Sequence, residues 1–277
     1  MKNEKTRGTM LTSSAVILCL ATFAAGFVSG SVVAEHRSGG SVTAPVADTA
    51  PVLSPVVSNE QGQAEHIRHL REEALNSPDN ADLWTNLGNA CYDAGDPDGA
   101  IEAYTHSLSL VPGNADVRTD MGNMYRMKGM PEQAVACYEQ AIADHPGHRN
   151  AVFNKGVTLM LDLEQPEQAV AFWNSVLAAQ PDFTLSSGIQ LRQAMPEVVS
   201  DAAIQLEAHG RKDAALRAYG EALKIDDSYA PALVHRAWLL ENMGRADEAQ
   251  PLWKRVVELY PDATDPAGNP VRDRIKK

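Results

Sequence analysis

The stretch ADLWTNLGNACYDAGDPDGAIEAYTHSLSLVPGN, residues 81–114, is followed at once by ADVRTDMGNMYRMKGMPEQAVACYEQAIADHPGH, residues 115–148. The two stretches align without a gap, so the chain repeats itself with a period of 34 residues. A period of this length is typical of helical hairpins that stack and bury a shared core. Aromatic residues make up only 6% of the chain while Ala and Leu are frequent, which favours helix over strand. The sequence predicts an all-α solenoid.

Further copies of the unit follow along the chain. A third copy begins near Arg149 and carries one extra residue in its turn, so the first set of three repeats covers 81–181. Two weaker copies occupy 196–261, where Tyr219 and Trp253 are again 34 residues apart. Residues 182–195 are predicted to be an irregular or short helical insertion that interrupts the stack. The prediction is therefore five hairpins in two sets.

The pattern resembles the tetratricopeptide repeat (TPR), whose units set small and aromatic residues at fixed places on two helices. The Gly and Ala positions let the two helices of a hairpin approach closely, and the large aromatic residues fill the space between hairpins. These residues are predicted to build the scaffold. In chain order they are Trp84, Gly88, Ala100, Tyr104, Gly122, Tyr125, Ala134, Tyr138, Gly156, Ala169, Trp173, Ala215, Tyr219, Ala249 and Trp253.

The N-terminus predicts a membrane anchor or a signal sequence. Residues 1–9 carry positive charge, and residues 10–34 carry no charged residue, which is long enough for a helix to span a bilayer. This charge order predicts a cytoplasmic tail at 1–9, a transmembrane helix at 10–34 and everything later outside, which in a bacterium is the periplasm. The alternative is a signal sequence cleaved near Ala34, which would release the chain into the periplasm. Gly26 and Gly30 have a spacing that could pack two anchors together.

The segments that flank the repeats have simpler predictions. Residues 35–61 are rich in Pro, Ser, Ala and Val without periodicity, which predicts a disordered tether. Residues 62–78 read as a lone helix, whose stripe of Ile67, Leu70 and Ala74 would cover the open side of the first hairpin. Residues 262–277 are polar and predicted to fray, which would leave the last hairpin without a capping helix.

Charge and motif content exclude several function classes. The formal net charge is −12 and no block of Lys and Arg lies downstream of the first residues, which argues against nucleic-acid binding. The three cysteines form no CxxC pair, and the two histidine pairs, His66 with His69 and His145 with His148, lack a third ligand. No GxSxG elbow or phosphate-binding loop is present. We therefore predict no enzyme activity, no metal and no cofactor.

The TPR resemblance implies a concave groove, lined by the first helices of the hairpins, that binds an extended peptide or a helix. Asn89 and Asn123 recur one repeat apart and could hydrogen-bond a peptide backbone. Replacing both by Ala is predicted to weaken binding and leave the melting temperature nearly unchanged. If an apolar helix binds instead, the aromatic groove residues would matter more. The groove residues carried over by repeat alignment are Thr85, Asn89, Thr119, Asn123, Arg126, Asn150, Phe153 and Trp238.

One binding mode of the family can be checked from the residues that it requires. TPR domains that bind chaperones grip a C-terminal carboxylate with Lys, Asn and Arg side chains. The matching positions here are Thr85, Asn89, Asp120, Asn150 and Asn154. Only Asn89 agrees, and an acidic Asp120 would repel a carboxylate. A chaperone co-factor role is therefore disfavoured.

The sequence as a whole predicts a membrane-anchored, non-catalytic protein-binding scaffold. Its layout is similar to that of membrane-bound TPR factors of c-type cytochrome assembly, so the partner would be a protein or an extended peptide. The alternative is a structural organiser or coat that self-associates into a homo-oligomer, through the anchor or through an uncapped last repeat.

Overall fold

A computed structural model of the chain describes residues 59–275. The predicted cytoplasmic tail, the anchor or signal at 10–34 and the tether up to residue 58 lie outside the described residues. Within 59–275, no helix combines the length and the apolar character that a membrane crossing requires. Residues from Gln63 onward form one compact unit.

Between residues 59 and 275 the chain forms eleven α-helices and one short 3-10 helix, as expected for an all-α fold. In chain order they are α1 (Asn59–Asn76), α2 (Ala81–Asp93), α3 (Pro97–Leu110), α4 (Ala115–Met127), α5 (Pro131–Asp144), α6 (Arg149–Leu161), α7 (Pro166–Ala179), α8 (Leu191–Ala208), α9 (Lys212–Ile225), α10 (Ala230–Asn242), α11 (Ala246–Leu259) and the 3-10 helix Val271–Arg274.

The helices pair into five hairpins, which are α2/α3, α4/α5, α6/α7, α8/α9 and α10/α11. The first helices of adjacent hairpins also pack side by side, since α4 contacts α6, α6 contacts α8, and α8 contacts α10. The exposed side of these first helices is called the first-helix face below. The predicted helical solenoid is confirmed.

The 34-residue period extends to the helix caps. Asn80, Asn114 and His148 stand 34 residues apart, and each begins the first helix of a hairpin. Each side chain accepts a hydrogen bond from a first-turn amide, at 3.0 Å for Asn80, 3.1 Å for Asn114 and 3.1 Å for His148. These bonds satisfy backbone donors that the helix itself leaves unpaired. His148 is thus a capping residue.

The recurrence of a glycine and an aromatic residue in each of the first three hairpins has the packing reason that the sequence predicts. A Cβ atom added at Gly88, Gly122 or Gly156 would lie 2.4, 2.6 or 2.1 Å from the ring of Tyr104, Tyr138 or Trp173. These contacts leave no room for any side chain, so the glycines set the separation of the two helices. The equivalent alanines on the second helices of all five hairpins have no exposed surface, and they are Ala100, Ala134, Ala169, Ala215 and Ala249.

Helix α1 covers the first hairpin. Leu70 and Ala74 are buried in the same cluster as Trp84 and Leu87, with Ile67 packed against it. The helix begins at Asn59, three residues before the predicted start. The array is therefore closed at its N-terminal end by a helix with its own apolar stripe.

The prediction of an insertion over 182–195 is wrong at its C-terminal end. Helix α8 already begins at Leu191 and contains Pro196, so only residues 182–190 are irregular. Leu191, Ala194 and Met195 are all buried, which explains why the helix extends past the proline. Pro196 removes one helical hydrogen bond, but packing of this apolar turn outweighs the loss.

The prediction that residues 262–277 fray is also wrong for the described part, which ends at residue 275. The segment folds back on α11 and its 3-10 helix buries Val271 completely. Asp265 is 4% exposed and accepts hydrogen bonds from the amides of Ala267 and Asn269, both at 2.9 Å. The last hairpin is therefore capped by a loop that hydrogen bonds to Asp265 hold in place.

This C-terminal loop is a second copy of the loop between α7 and α8. The sequences PDFTLSSGIQL at 181–191 and PDATDPAGNPV at 261–271 are 80 residues apart. Each copy closes with an antiparallel bridge, Thr184 to Gln190 in one and Thr264 to Pro270 in the other. The shared Gly, at 188 or 268, has a positive φ of 83° or 85°, a conformation that other residues rarely adopt. The same loop thus follows the third and the fifth hairpin.

Candidate protein-binding site on the first-helix face

The first-helix face carries polar side chains at regular intervals. Asp82, Asn86 and Asn89 are exposed on α2, and Asp116 is exposed at the start of α4. Asn150 is exposed on α6. Such a surface offers hydrogen-bond acceptors and negative charge along successive hairpins.

The two asparagines predicted to bind peptide already have partners inside the array. The hydroxyl of Tyr104 donates to Oδ1 of Asn89 at 2.9 Å, and that of Tyr138 donates to Oδ1 of Asn123 at 2.8 Å. Asn154 also donates to Oδ1 of Asn123, at 2.9 Å. Burial raises the pKa of both tyrosines, so the hydroxyls stay protonated. The recurring asparagines therefore hold the buried tyrosine of each hairpin.

This geometry changes the expected effect of the asparagine substitutions. Asn123 is 8% exposed and its partner Tyr138 is fully buried, so Asn123→Ala leaves a buried hydroxyl unpaired. We expect the free energy of unfolding to fall by about 1–3 kcal/mol. Asn89→Ala should cost less, since Asn89 is exposed and water can replace it. For the double variant we therefore expect a lower melting temperature, in place of the nearly unchanged one that the sequence predicts. Urea unfolding of the two single variants measures the difference; equal costs would contradict this account.

The other predicted groove residues also make internal contacts. Thr85 bonds Ser107 at 2.7 Å, and the hydroxyl of Thr119 donates to the Ala115 carbonyl at 2.7 Å. The remaining four also have partners. Arg126 pairs with Asp162, and Asn150 accepts a hydrogen bond from Ser186. Phe153 stacks on Trp173, and the Arg274 guanidinium lies 4.5 Å from the ring centre of Trp238. These residues lie on the first helices, and each of them already makes a contact within the array.

The last two hairpins hold their aromatic residues with carboxylates. The Tyr219 hydroxyl donates to Glu207 at 3.0 Å, and the Trp253 Nε1 donates to Glu241 at 3.0 Å. Glu207 and Glu241 are 34 residues apart, so the period persists where the sequence match is weaker. Each hairpin except the third thus ties its aromatic head to a polar side chain on its first helix.

His148 links the second and third hairpins. Its Nδ1 accepts the Ala151 amide, so the proton lies on Nε2, which donates to the carboxylate of Asp116 at 2.9 Å. Thr119 lies 3.3 Å from Nδ1. The histidine is 9% exposed. This contact fixes the register of α4 and α6 on the first-helix face.

Two carboxylates, Asp120 and Asp201, lie half-buried on this face, one in each set of hairpins, and only Asp120 was considered from the sequence. Burial raises the pKa of Asp120 to about 6, Asp116 adds to the effect and His148 opposes it. Burial likewise raises the pKa of Asp201 to about 6, with Glu197 adding to it. Each is the sixth residue of its repeat, counted from residue 115 or 196, so the sequence contained a signal for both. A cation bound beside either group would stabilise its charged form.

The raised pKa predicts a pH effect on stability. Between pH 3.8, the usual pKa of the group, and about 6, the folded chain holds a proton on Asp120 that the unfolded chain has released. The free energy of unfolding contributed by Asp120 therefore falls as pH rises through this window. We expect Asp120→Asn to stabilise the chain at pH 7 by on the order of 1 kcal/mol and to have little effect at pH 4. Urea unfolding at both pH values tests this; an equal effect at both would contradict it.

Comparison with protein families decides the identity of the hairpins. Models described as tetratricopeptide repeat match residues 79–143, 119–183 and 231–263. The first two cover α2 to α7 without a break, and the third covers α10 and α11. The chain is a tetratricopeptide repeat protein. Tetratricopeptide repeats typically act as non-catalytic scaffolds for protein interactions.

Several solved TPR structures are similar to this chain at low sequence identity. YrrB, described as a TPR protein with an unusual peptide-binding site, is 18% identical over 70% of this chain and 93% of its own, with a TM-score of 0.42. MamA (residues 41 to the end) of Desulfovibrio magneticus RS-1 is 19% identical over 65% and 95%, with a TM-score of 0.41. PilF of Pseudomonas aeruginosa is 20% identical over 73% and 86%, with a TM-score of 0.40. No curated protein matches the chain.

Proposed function

We propose that this TPR protein is a non-catalytic scaffold that holds a segment of a partner protein on its first-helix face. The observation that carries the proposal is the run of α2, α4 and α6, on which one exposed polar position recurs in each repeat, at Asp82, Asp116 and Asn150. Asp82, Asn86 and Asn89 offer acceptors on the first hairpin, and Asp116 continues the row on the second. Side chains that are committed to buried aromatics, such as Asn123, support this surface from below.

The charge of this face favours a partner segment with basic or amide side chains. Asp116 and Asp120 lie on α4, and Glu197 and Asp201 lie on α8, so carboxylates recur in both sets of hairpins. A Lys or Arg of the partner would pair with them, and it would lower the raised pKa of Asp120 and Asp201. Acidic segments would be repelled, in keeping with the net charge of −12.

The cellular setting that we propose is the bacterial inner membrane. Residues 10–34 would anchor the chain, residues 35–58 would extend from the bilayer, and the repeats would face the periplasm, where they assist assembly of an envelope complex such as c-type cytochromes. Membrane fractionation with an alkaline wash, together with the mass of the mature N-terminus, tests the anchor. A soluble chain that begins near residue 35 would replace the anchor by a cleaved signal.

Self-association is the alternative role, but one of the two contacts expected to support it is covered. An uncapped last repeat was the expected contact, and the 3-10 helix with Val271 now covers that hairpin. Light scattering of the full chain decides between the two roles. A monomer supports the scaffold. An oligomer that persists when Asp120 on the first-helix face is replaced by Lys favours the organiser.

A further inference from the structure

A half-buried arginine with one unpaired nitrogen faces a cavity beside the fourth and fifth hairpins. Arg236 lies on α10, and its Nε is enclosed yet has no hydrogen-bond partner within the described residues 59–275. Buried polar atoms in folded proteins are nearly always paired, so such a nitrogen calls for an explanation. The cavity has a volume of about 600 Å³ and lies outside the residues that were predicted to line the groove.

Three acids near Arg236 are engaged by other cations. Glu248 acts on Arg236 electrostatically, but both of its oxygens are held by Arg245, at 2.7 and 2.8 Å. Glu221 on the cavity wall pairs with Lys224 at 2.5 Å, and Glu167 pairs with Arg217 at 3.2 Å. Lys224 and Arg245 also line the cavity, so Arg236 feels two like charges there. The cavity wall carries one net positive charge, from four cations and three acids: Arg217, Lys224, Arg236, Arg245, Glu167, Asp213 and Glu221.

The opposite wall leaves space for the guanidinium. Gly220 lies inside helix α9, where glycine is less favourable than alanine. A Cβ at Gly220 would lie 3.7 Å from Nη1 of Arg236, so the arginine packs flat against this bare stretch of helix. Apolar side chains of Leu216, Leu223 and Leu240 complete the wall.

We propose that this cavity binds a small organic anion, whose carboxylate or phosphate group is held by Arg236 and whose apolar part lies against the leucines. The planar guanidinium matches the two oxygens of such a group. The volume is that of small-molecule sites in proteins, and it exceeds what an inorganic ion alone would fill. The site is separate from the first-helix face, so it does not depend on the proposed scaffold role.

The test uses hexanoate, acetate, phosphate and neutral hexanol as probes on the full chain. Calorimetry measures affinity, and the amide signal of Gly220 in ¹⁵N-glycine-labelled protein reports where the probe binds. We expect hexanoate to bind at least tenfold more tightly than acetate or hexanol and to shift the Gly220 signal. Phosphate should compete with it. Hexanoate that binds no better than hexanol would overturn the proposal.

Matched variants separate charge from shape. Arg236→Met keeps the length of the side chain and should lower hexanoate affinity at least tenfold, while Arg236→Lys keeps the charge and should lower it less. Arg255→Met removes an exposed cation of α11 that pairs with Glu258 and does not line the cavity, so it should leave the affinity within twofold. If Arg236→Met does not fold, the Arg236→Lys result decides. Equal losses for Arg255→Met and the Arg236 variant, or no loss in either, would overturn the proposal.

Discussion

Replacing Gly156 by Ala is expected to lower the free energy of unfolding by about 3 kcal/mol, the upper part of the range for overpacked cores. The added Cβ would lie 2.1 Å from the ring of Trp173, which is itself fully buried and cannot move aside. The two helices of the third hairpin would have to separate. Loss of the shared core between neighbouring hairpins then follows.

The matched control is the same substitution at Gly220. There the new Cβ makes an ordinary contact at 3.7 Å, and the helix gains the propensity difference between Gly and Ala. We expect Gly220→Ala to raise the free energy of unfolding by about 0.5–1 kcal/mol. Urea unfolding followed by circular dichroism measures both variants. A similar loss in the two would mean that helix propensity and close packing have been assigned to the wrong positions.

The second large effect is expected for Asp265→Ala in the C-terminal loop. The carboxylate accepts from two amides and from Arg274 at 2.9 and 2.6 Å, and these bonds hold its pKa below the usual value although burial opposes the shift. Its removal leaves buried donors without an acceptor, at a cost of about 2–4 kcal/mol. Arg274 would also lose its position over Trp238 and beside Glu241.

Hydrogen exchange resolves where this loss occurs. We expect the amides of Ala267 and Asn269, and those at the end of α11, to lose protection in Asp265→Ala. Amides of α2 to α5 should be unchanged, because repeats communicate mainly with their neighbours. Asp262→Ala is the control, since Asp262 is an exposed acid in the same loop. A uniform loss of protection, or none near α11, would contradict the capping role.

Much of this fold could be predicted because the residues that pack within and between hairpins recur in the sequence with the repeat. Gly122 and Tyr138 recur at fixed positions, and the structure gives them the contact that their sizes imply. The loop at 261–271 could not be predicted in this way, because its match lies 80 residues earlier and outside the 34-residue period. The loop is polar and mostly exposed, a composition that by itself predicts a frayed tail.

The site was harder to predict than the scaffold. A polar residue on a first helix can face a ligand or hold a buried aromatic, and sequence spacing alone does not separate the two. The signal existed, since Asn89 and Tyr104 are 15 residues apart, as are Asn123 and Tyr138. Arg236 was missed because a single arginine has no pattern. Only the structure brings it opposite Gly220.

The central claim is that the first-helix face binds a partner protein, and site-specific photocrosslinking in the native cell tests it most directly. A photoreactive residue is placed at Asn86 or Asp201 on the first helices, and at Gln140 or Ser175, which are exposed on second helices. The account predicts that Asn86 and Asp201 give adducts with the same partner protein and that Gln140 and Ser175 give none. Adducts with a partner only from Gln140 and Ser175, or from all four sites equally, would contradict it.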